Sequence, residues 1–95
     1  MAESLDYLIE ISSAADRDLQ KLGDHIRRQE FNRLSTAIDK LATQPRPHRV
    51  RKIEGAVTAY RNRVGHYPVV YDVFDDKKRV VILQVVRRSE STYKS

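Results

Sequence analysis

The spacing of apolar positions changes three times along this chain. Leu5, Tyr7, Ile9 and Ile11 alternate with Asp6, Leu8, Glu10 and Ser12. This mainly two-residue period predicts a strand over about residues 5–11. Ser13 through Asp16 resembles a capping box with Asp in place of Glu. Ala15, Leu19 and Leu22 follow at helical spacing, and Gly23 is expected to close this short helix in a left-handed conformation. Asp24 can cap a second helix. Its apolar stripe is Phe31, Leu34, Ile38 and Leu41, with Ala37 beside them and Arg28, Asn32, Ser35 and Asp39 opposite. The helix is expected to run to about Ala42 and stop before Pro45. Such a stripe is a core face, and no function is assigned to it.

Pro45, Arg46, Pro47 and His48 break the periodicity, and a basic segment follows from Arg49 to Gly55. Three strand candidates come next, at about 58–64, 67–74 and 79–86. Gly65 and His66 between the first two suit a type II′ hairpin turn. The last strand is nearly all apolar, which predicts a central place in the sheet or cover over most of its length. The fold class is therefore α+β: an N-terminal strand, a helical hairpin, then a three-stranded antiparallel meander. The helices cover one face of a mostly antiparallel sheet, and the other face stays open.

A two-residue turn pairs Val64 with Tyr67, Arg63 with Pro68 and Arg61 with Val70. Cross-strand partners share a face, so Arg61 and Arg63 lie on one face beside Pro68. If Phe74 pairs with Arg79, Pro68 falls opposite Val85. Arg87 and Arg88 then extend past the end of the last strand, with Tyr93 a few residues on. Converging arginines can hold a phosphodiester through paired N–H groups and stabilise charge on a transferring phosphoryl group. Arginines at i and i+2 on an exposed strand are also commonly a solvated face. The residues alone leave both readings open.

Composition narrows the classes. At 95 residues and 40% apolar content, one small domain over 1–95 is expected, with a surface site rather than a deep pocket. There is no cysteine, which removes disulfides, thiol nucleophiles and cysteine-ligated zinc, and fits a cytoplasmic location. No apolar run approaches the roughly 20 residues that span a bilayer. The start, MAESLDYL, lacks the layout of a signal peptide. Charge is divided unevenly. Residues 1–44 hold 6 Lys and Arg against 8 Asp and Glu, whereas residues 45–95 hold 12 against 5. The basic half points to a polyanionic partner, nucleic acid or acidic protein, or else to ordinary solubilising charge.

The run KIEG from Lys52 to Gly55, then AYRNRVGHYPVVYDV, then VVILQVVRRSESTY, resembles the RelE/ParE toxin superfamily. The early strand, the helical hairpin and the Pro-Arg-Pro break extend the resemblance over nearly the whole chain. It implies a RelE-like fold and a toxin of a type II toxin–antitoxin pair, with an acidic, RelB-like antitoxin as partner. The RelE branch cleaves mRNA in the ribosomal A site. The 2′-hydroxyl attacks the adjacent phosphodiester and leaves a 2′,3′-cyclic phosphate and a 5′-hydroxyl. The resemblance implies no metal, no cofactor and no membrane. Carried over by position, it implies catalytic roles for Arg61, Arg63, Arg88 and Tyr93, and RNA contacts for Arg51, Lys52 and Arg87. An arginine usually follows the Gly-x-Tyr turn; here that position is Pro68. Arginine does not serve as a general base, and His66, in the turn beside the site, has a suitable intrinsic pKa but also reads as an ordinary turn residue. The ParE branch acts instead on DNA gyrase. That function, and a weakened toxin acting mainly through antitoxin binding, are the alternatives.

Overall fold

The computed structural model describes residues 6–48 and 50–86. The elements, in chain order, are β1 (Leu8–Ile11), α1 (Ser13–Gly23), α2 (Arg28–Lys40), β2 (Arg51–Lys52), β3 (Ala59–Val64), β4 (Tyr67–Phe74) and β5 (Arg79–Val85). The expected α+β order is present. The strands form one mixed sheet, ordered β1-β5-β4-β3-β2. β1 runs parallel to β5, and the other neighbours are antiparallel. The apolar β5 lies inside the sheet, between β1 and β4.

Both helices cover one face. Ala15 and Leu22 of α1, and Leu34 and Ile38 of α2 with Leu41 just after it, meet Val69, Tyr71, Val73, Val80, Ile82 and Val85. Of these, Ala15, Leu34, Tyr71, Val80 and Ile82 have no exposed surface. Truncating a fully buried leucine such as Leu34 to Ala costs about 2–5 kcal/mol.

Several local expectations are corrected. β1 begins at Leu8 rather than at residue 5, and Leu5 lies outside the described residues. The cap of α1 is Ser12, not Ser13. Ser12 is extended, its Oγ accepts from the Ala15 N–H at 3.1 Å, and its own N–H donates to the Ile82 carbonyl at 3.0 Å. The residue that ends the β1–β5 pairing therefore also starts the helix. Gly23 is the last helical residue and is not left-handed; Asp24 closes the helix in a right-handed conformation. Asp24 does not cap α2. The N–H groups of His25 and Ile26 both return to the Leu22 carbonyl, which packs Ile26 on the core and delays α2 until after Arg27.

Two differences bear on the open face. The basic segment contributes a short edge strand, β2, that was not expected. β5 also carries a bulge. Tyr71 pairs with Ile82, but Val70 pairs with Gln84, so Leu83 is an extra residue. A regular ladder would turn Gln84 toward the core and Val85 away from it. The bulge instead exposes Gln84 and buries Val85. It also moves Pro68 one place along β5. Its neighbour there is Val86, whose N–H donates to the Pro68 carbonyl at 2.8 Å, and not Val85.

Candidate nucleic-acid interface

The open face is built from alternation on β3. Tyr60 and Val64 pack toward the core, so Arg61 and Arg63 point the other way, and both are exposed. The turn that fixes this register needs Gly65 at φ +61° followed by a residue at negative φ, as in a type II′ turn. The pairs Val64–Tyr67, Arg63–Pro68 and Arg61–Val70 are those the turn predicts. β2 then adds a third arginine: Arg51 is the cross-strand partner of Arg61. Such partners have Cβ atoms roughly 5 Å apart, and Arg63 lies roughly 7 Å further along the same face.

Arg51, Arg61 and Arg63, with Val50, Asn62 and Gly65, line an open groove of about 810 Å³. No carboxylate is among these lining residues, and no ion pair holds the three arginines among the described residues. Other arginines are engaged. Arg79 pairs with Glu10 at 3.4 Å, and Arg46 with Asp75 at 2.7 Å. Asp72 shares the open face one same-face pair beyond Arg61, but it accepts from the Thr58 hydroxyl at 2.9 Å. Like charges directly opposite on a sheet destabilise it. The arginine face is thus an uncompensated cation cluster, suited to an anion brought from outside.

Pro68 sits opposite Arg63 and is buried. Its backbone nitrogen lies on the β5 side, where its carbonyl meets Val86 near the end of the ladder. A proline costs little there, because few ladder bonds follow. It brings no charge to the groove. Lys52 pairs with Tyr60 and is exposed on the opposite side of β2 from Arg51. His66 sits edge-on to Tyr67, with ring centroids 6.5 Å apart. It lines a separate cavity of about 130 Å³ with Glu30 and Arg33, not the arginine groove. Arg87, Arg88 and Tyr93 lie outside the described residues.

The far end of the sheet is fastened by a polar network. Arg46 donates from both Nη atoms to Asp75, at 3.1 and 2.7 Å, and from Nε to the Tyr60 hydroxyl at 2.9 Å. The Tyr7 hydroxyl donates to the same carboxylate at 2.5 Å. The hydrogen bonds from Arg46, then that from Tyr7, lower the Asp75 pKa to about 2. The Tyr71 hydroxyl donates to the Pro45 carbonyl at 2.7 Å, and burial pushes its pKa up. These bonds fix the Pro-Arg-Pro segment that leads into β2, and so fix where Arg51 arrives.

A family model described as the ParE toxin of the type II toxin–antitoxin system parDE matches residues 9–92. The chain belongs to the RelE/ParE toxin superfamily. The RelE toxin of Mycobacterium tuberculosis is 33% identical over 99 residues, covering 96% of this chain and 91% of that protein. The archaeal RelE–RelB complex from Pyrococcus horikoshii contains a chain that is 28% identical with a TM-score of 0.73, covering 90% and 98% of the two chains. In the intact Escherichia coli RelBE complex the matching chain is 20% identical with a TM-score of 0.68, covering 88% and 99%, a likeness of fold. The protein is a RelE-family toxin of a type II toxin–antitoxin system.

Within this RelE-family chain the sheet brings Arg51, Arg61 and Arg63 together. Sequence reasoning did not put Val50 and Asn62 in the groove or Arg51 directly beside Arg61. A two-residue strand is too short to show a period, so nothing in the sequence marked β2 as part of the sheet. Among the described residues, no helix is long and apolar enough to cross a membrane.

Proposed function

We propose that this toxin is a ribosome-dependent mRNA endoribonuclease that inhibits translation. The observation that carries the reading is the like-charge pair Arg51–Arg61, extended by Arg63, on an open groove without a carboxylate. The fold tolerates this repulsion, and an RNA phosphate relieves it. In the reaction the substrate 2′-oxygen attacks the adjacent phosphorus as its proton is removed. The bond to the 5′-oxygen breaks, and that oxygen gains a proton. The products are a 2′,3′-cyclic phosphate and a 5′-hydroxyl. Arg61, Arg63 and Arg88 donate N–H groups to the non-bridging oxygens as these gain charge. A guanidinium stays charged, so these residues supply charge rather than a base. Tyr93 stacks on a base or takes part in the proton transfer, and Arg51, Lys52 and Arg87 hold the flanking backbone.

The partner in this reading is an acidic, RelB-like antitoxin. Relatives crystallised with RelB support it, as does the basic second half of this chain. One observation favours a second reading, a gyrase-directed toxin: Pro68 leaves the groove without a charge where RelE-type sites usually have one. Mapping RNA 5′ ends and gyrase-linked DNA breaks after induced expression separates the two. New RNA ends on translated messages with no DNA breaks support cleavage; DNA breaks with unchanged RNA ends overturn it. Replacing any one of Arg61, Arg63 or Arg88 by Ala should relieve growth arrest, at a cost of about 3–4 kcal/mol in the transition state.

A further inference from the structure

The outer stripe of α2 carries two cations, Arg33 and Lys40, that no ion pair holds among the described residues. Gln29, Asn32, Arg33, Thr36 and Lys40 are exposed and line, with Ala37, an open groove of about 370 Å³. A solvated helix commonly sets a carboxylate four residues before each cation. Here those places hold Gln29 before Arg33 and Thr36 before Lys40. Glu30 stands at the other favourable spacing, three residues before Arg33, and Asp39 is next to Lys40, yet neither forms an ion pair among the described residues. The stripe also does not end at the helix. Arg33 lines a second cavity with Glu30, Val64, Gly65, His66 and Tyr67. Gly65 in turn lines the groove of Arg51, Arg61 and Arg63. Three concave surfaces that share lining residues therefore lead from Lys40, past the β3–β4 turn, to the arginine face. Glu30 is the one carboxylate among their described lining residues.

We propose that this path is a second, sequence-independent contact surface for the backbone of single-stranded RNA, continuing from the arginine groove onto α2. The choice of ligand rests on the endoribonuclease reading. Arg33 and Lys40 contact phosphates, Gln29, Asn32 and Thr36 donate to phosphate or sugar oxygens, and His66 at the turn offers a ring face to a base. The surface adds affinity and no chemistry.

The test is fluorescence anisotropy of the full chain with a labelled, non-cleavable 2′-O-methyl RNA, titrated across salt concentrations. Each phosphate contact on a single strand contributes about 0.7 to the slope of log K against log salt. The Arg33→Ala/Lys40→Ala variant should therefore show a slope shallower by about 1.4. Between 1 M and 0.1 M salt the wild type should gain about 25-fold in affinity over it. Arg33→Lys/Lys40→Arg should restore the slope, which a loss of folding would not allow. An unchanged slope in the alanine variant overturns the proposal. So does a variant that binds RNA normally but loses affinity for poly-glutamate, because the face then belongs to an acidic protein. A shallower slope in this variant together with unchanged RNA binding by Arg61→Ala/Arg63→Ala supports the α2 surface and counts against the endoribonuclease site.

Discussion

Replacing Asp18 by Ala should destabilise this toxin more than any other change at an exposed or half-exposed carboxylate of α1. β1 ends at Ile11, opposite Ile82, so beyond that point the outer edge of β5 has no neighbouring strand. Two side chains stand in for it. The Ser12 hydroxyl donates to the Leu83 carbonyl at 3.1 Å, and the Val85 N–H donates to the Asp18 carboxylate at 2.9 Å. Val85 is buried, so losing Asp18 leaves its N–H without a partner. Hydrogen bonds to charged groups contribute about 1.5–3 kcal/mol, and an orphaned buried donor costs about 1–3. Asp18→Ala should therefore cost about 2 kcal/mol. For a chain of this size that is a fall in Tm of roughly 8–16 °C. Asp18→Asn keeps an acceptor without the charge and should recover about half of the loss. Asp16→Ala is the control. Among the described residues its carboxylate accepts only from exposed Gln20, at 3.0 Å, and it stands in the first turn of α1. The helix-end charge and this bond together are worth about 0.5–1.5 kcal/mol. Urea denaturation followed by circular dichroism gives each value. If Asp18→Ala lies within about 0.5 kcal/mol of wild type, or no further from it than Asp16→Ala, the carboxylate does not hold the end of β5. That end is where the chain leads on to Arg87 and Arg88.

Three further outcomes follow from the same geometry. Pro68→Arg should raise single-turnover cleavage of ribosome-bound mRNA more than it raises ribosome affinity, because an interaction made only in the transition state increases turnover rather than binding; a folded variant with unchanged or lower cleavage refutes this. The Asp75 pKa is lowered to about 2 in the fold, so its stabilisation is complete above the usual carboxylate range and is lost as pH falls from about 4 toward 2. Asp75→Asn should accordingly melt lower than wild type at pH 7 and converge with it near pH 2, and a gap that widens on acidification contradicts the network. Association with an acidic antitoxin should slow as salt is raised, because steering between exposed charges is screened within roughly 8–10 Å; a rate indifferent to salt removes the electrostatic part of that partnership.

The elements with long, clean periods were legible from sequence. Leu34 and Ile38 of the expected stripe gave α2 its core face, with Leu41 just after the helix and Phe31 only half-buried, and the Gly65-His66 turn gave the β3–β4 register residue by residue. The positions of Arg61 and Arg63 follow from that turn alone. What stayed hidden depends on contacts distant in sequence. The bulge at Leu83 exists because Val85 is a better core residue than Gln84 and because Ser12 and Asp18 can satisfy the exposed edge. No local pattern in VVILQVV announces it. The role of Ser12 as cap was obscured by Ser13 beside it, and the pairing with β5 decides between them. β2 was invisible for a related reason: Arg51 and Lys52 become a strand only because β3 offers an edge. The same edge sets Arg51 opposite Arg61. The fold was thus more legible than the site, because the site includes tertiary neighbours and a proline at one position that the resemblance assigns to an arginine.

The proposed chemistry is RNA cleavage at the arginine face of this toxin. The most direct measurement maps RNA 5′ ends and their chemistry on purified translating ribosomes, with wild type and with Arg61→Ala/Arg63→Ala. Wild type should generate new 5′-hydroxyl ends within the reading frame, paired with 2′,3′-cyclic phosphates on the upstream fragments. The double variant should fold normally and lose those ends by at least about two decades in rate. Equal cleavage by the folded double variant, or intact messages with wild type, would mean that the arginine face does not cut RNA.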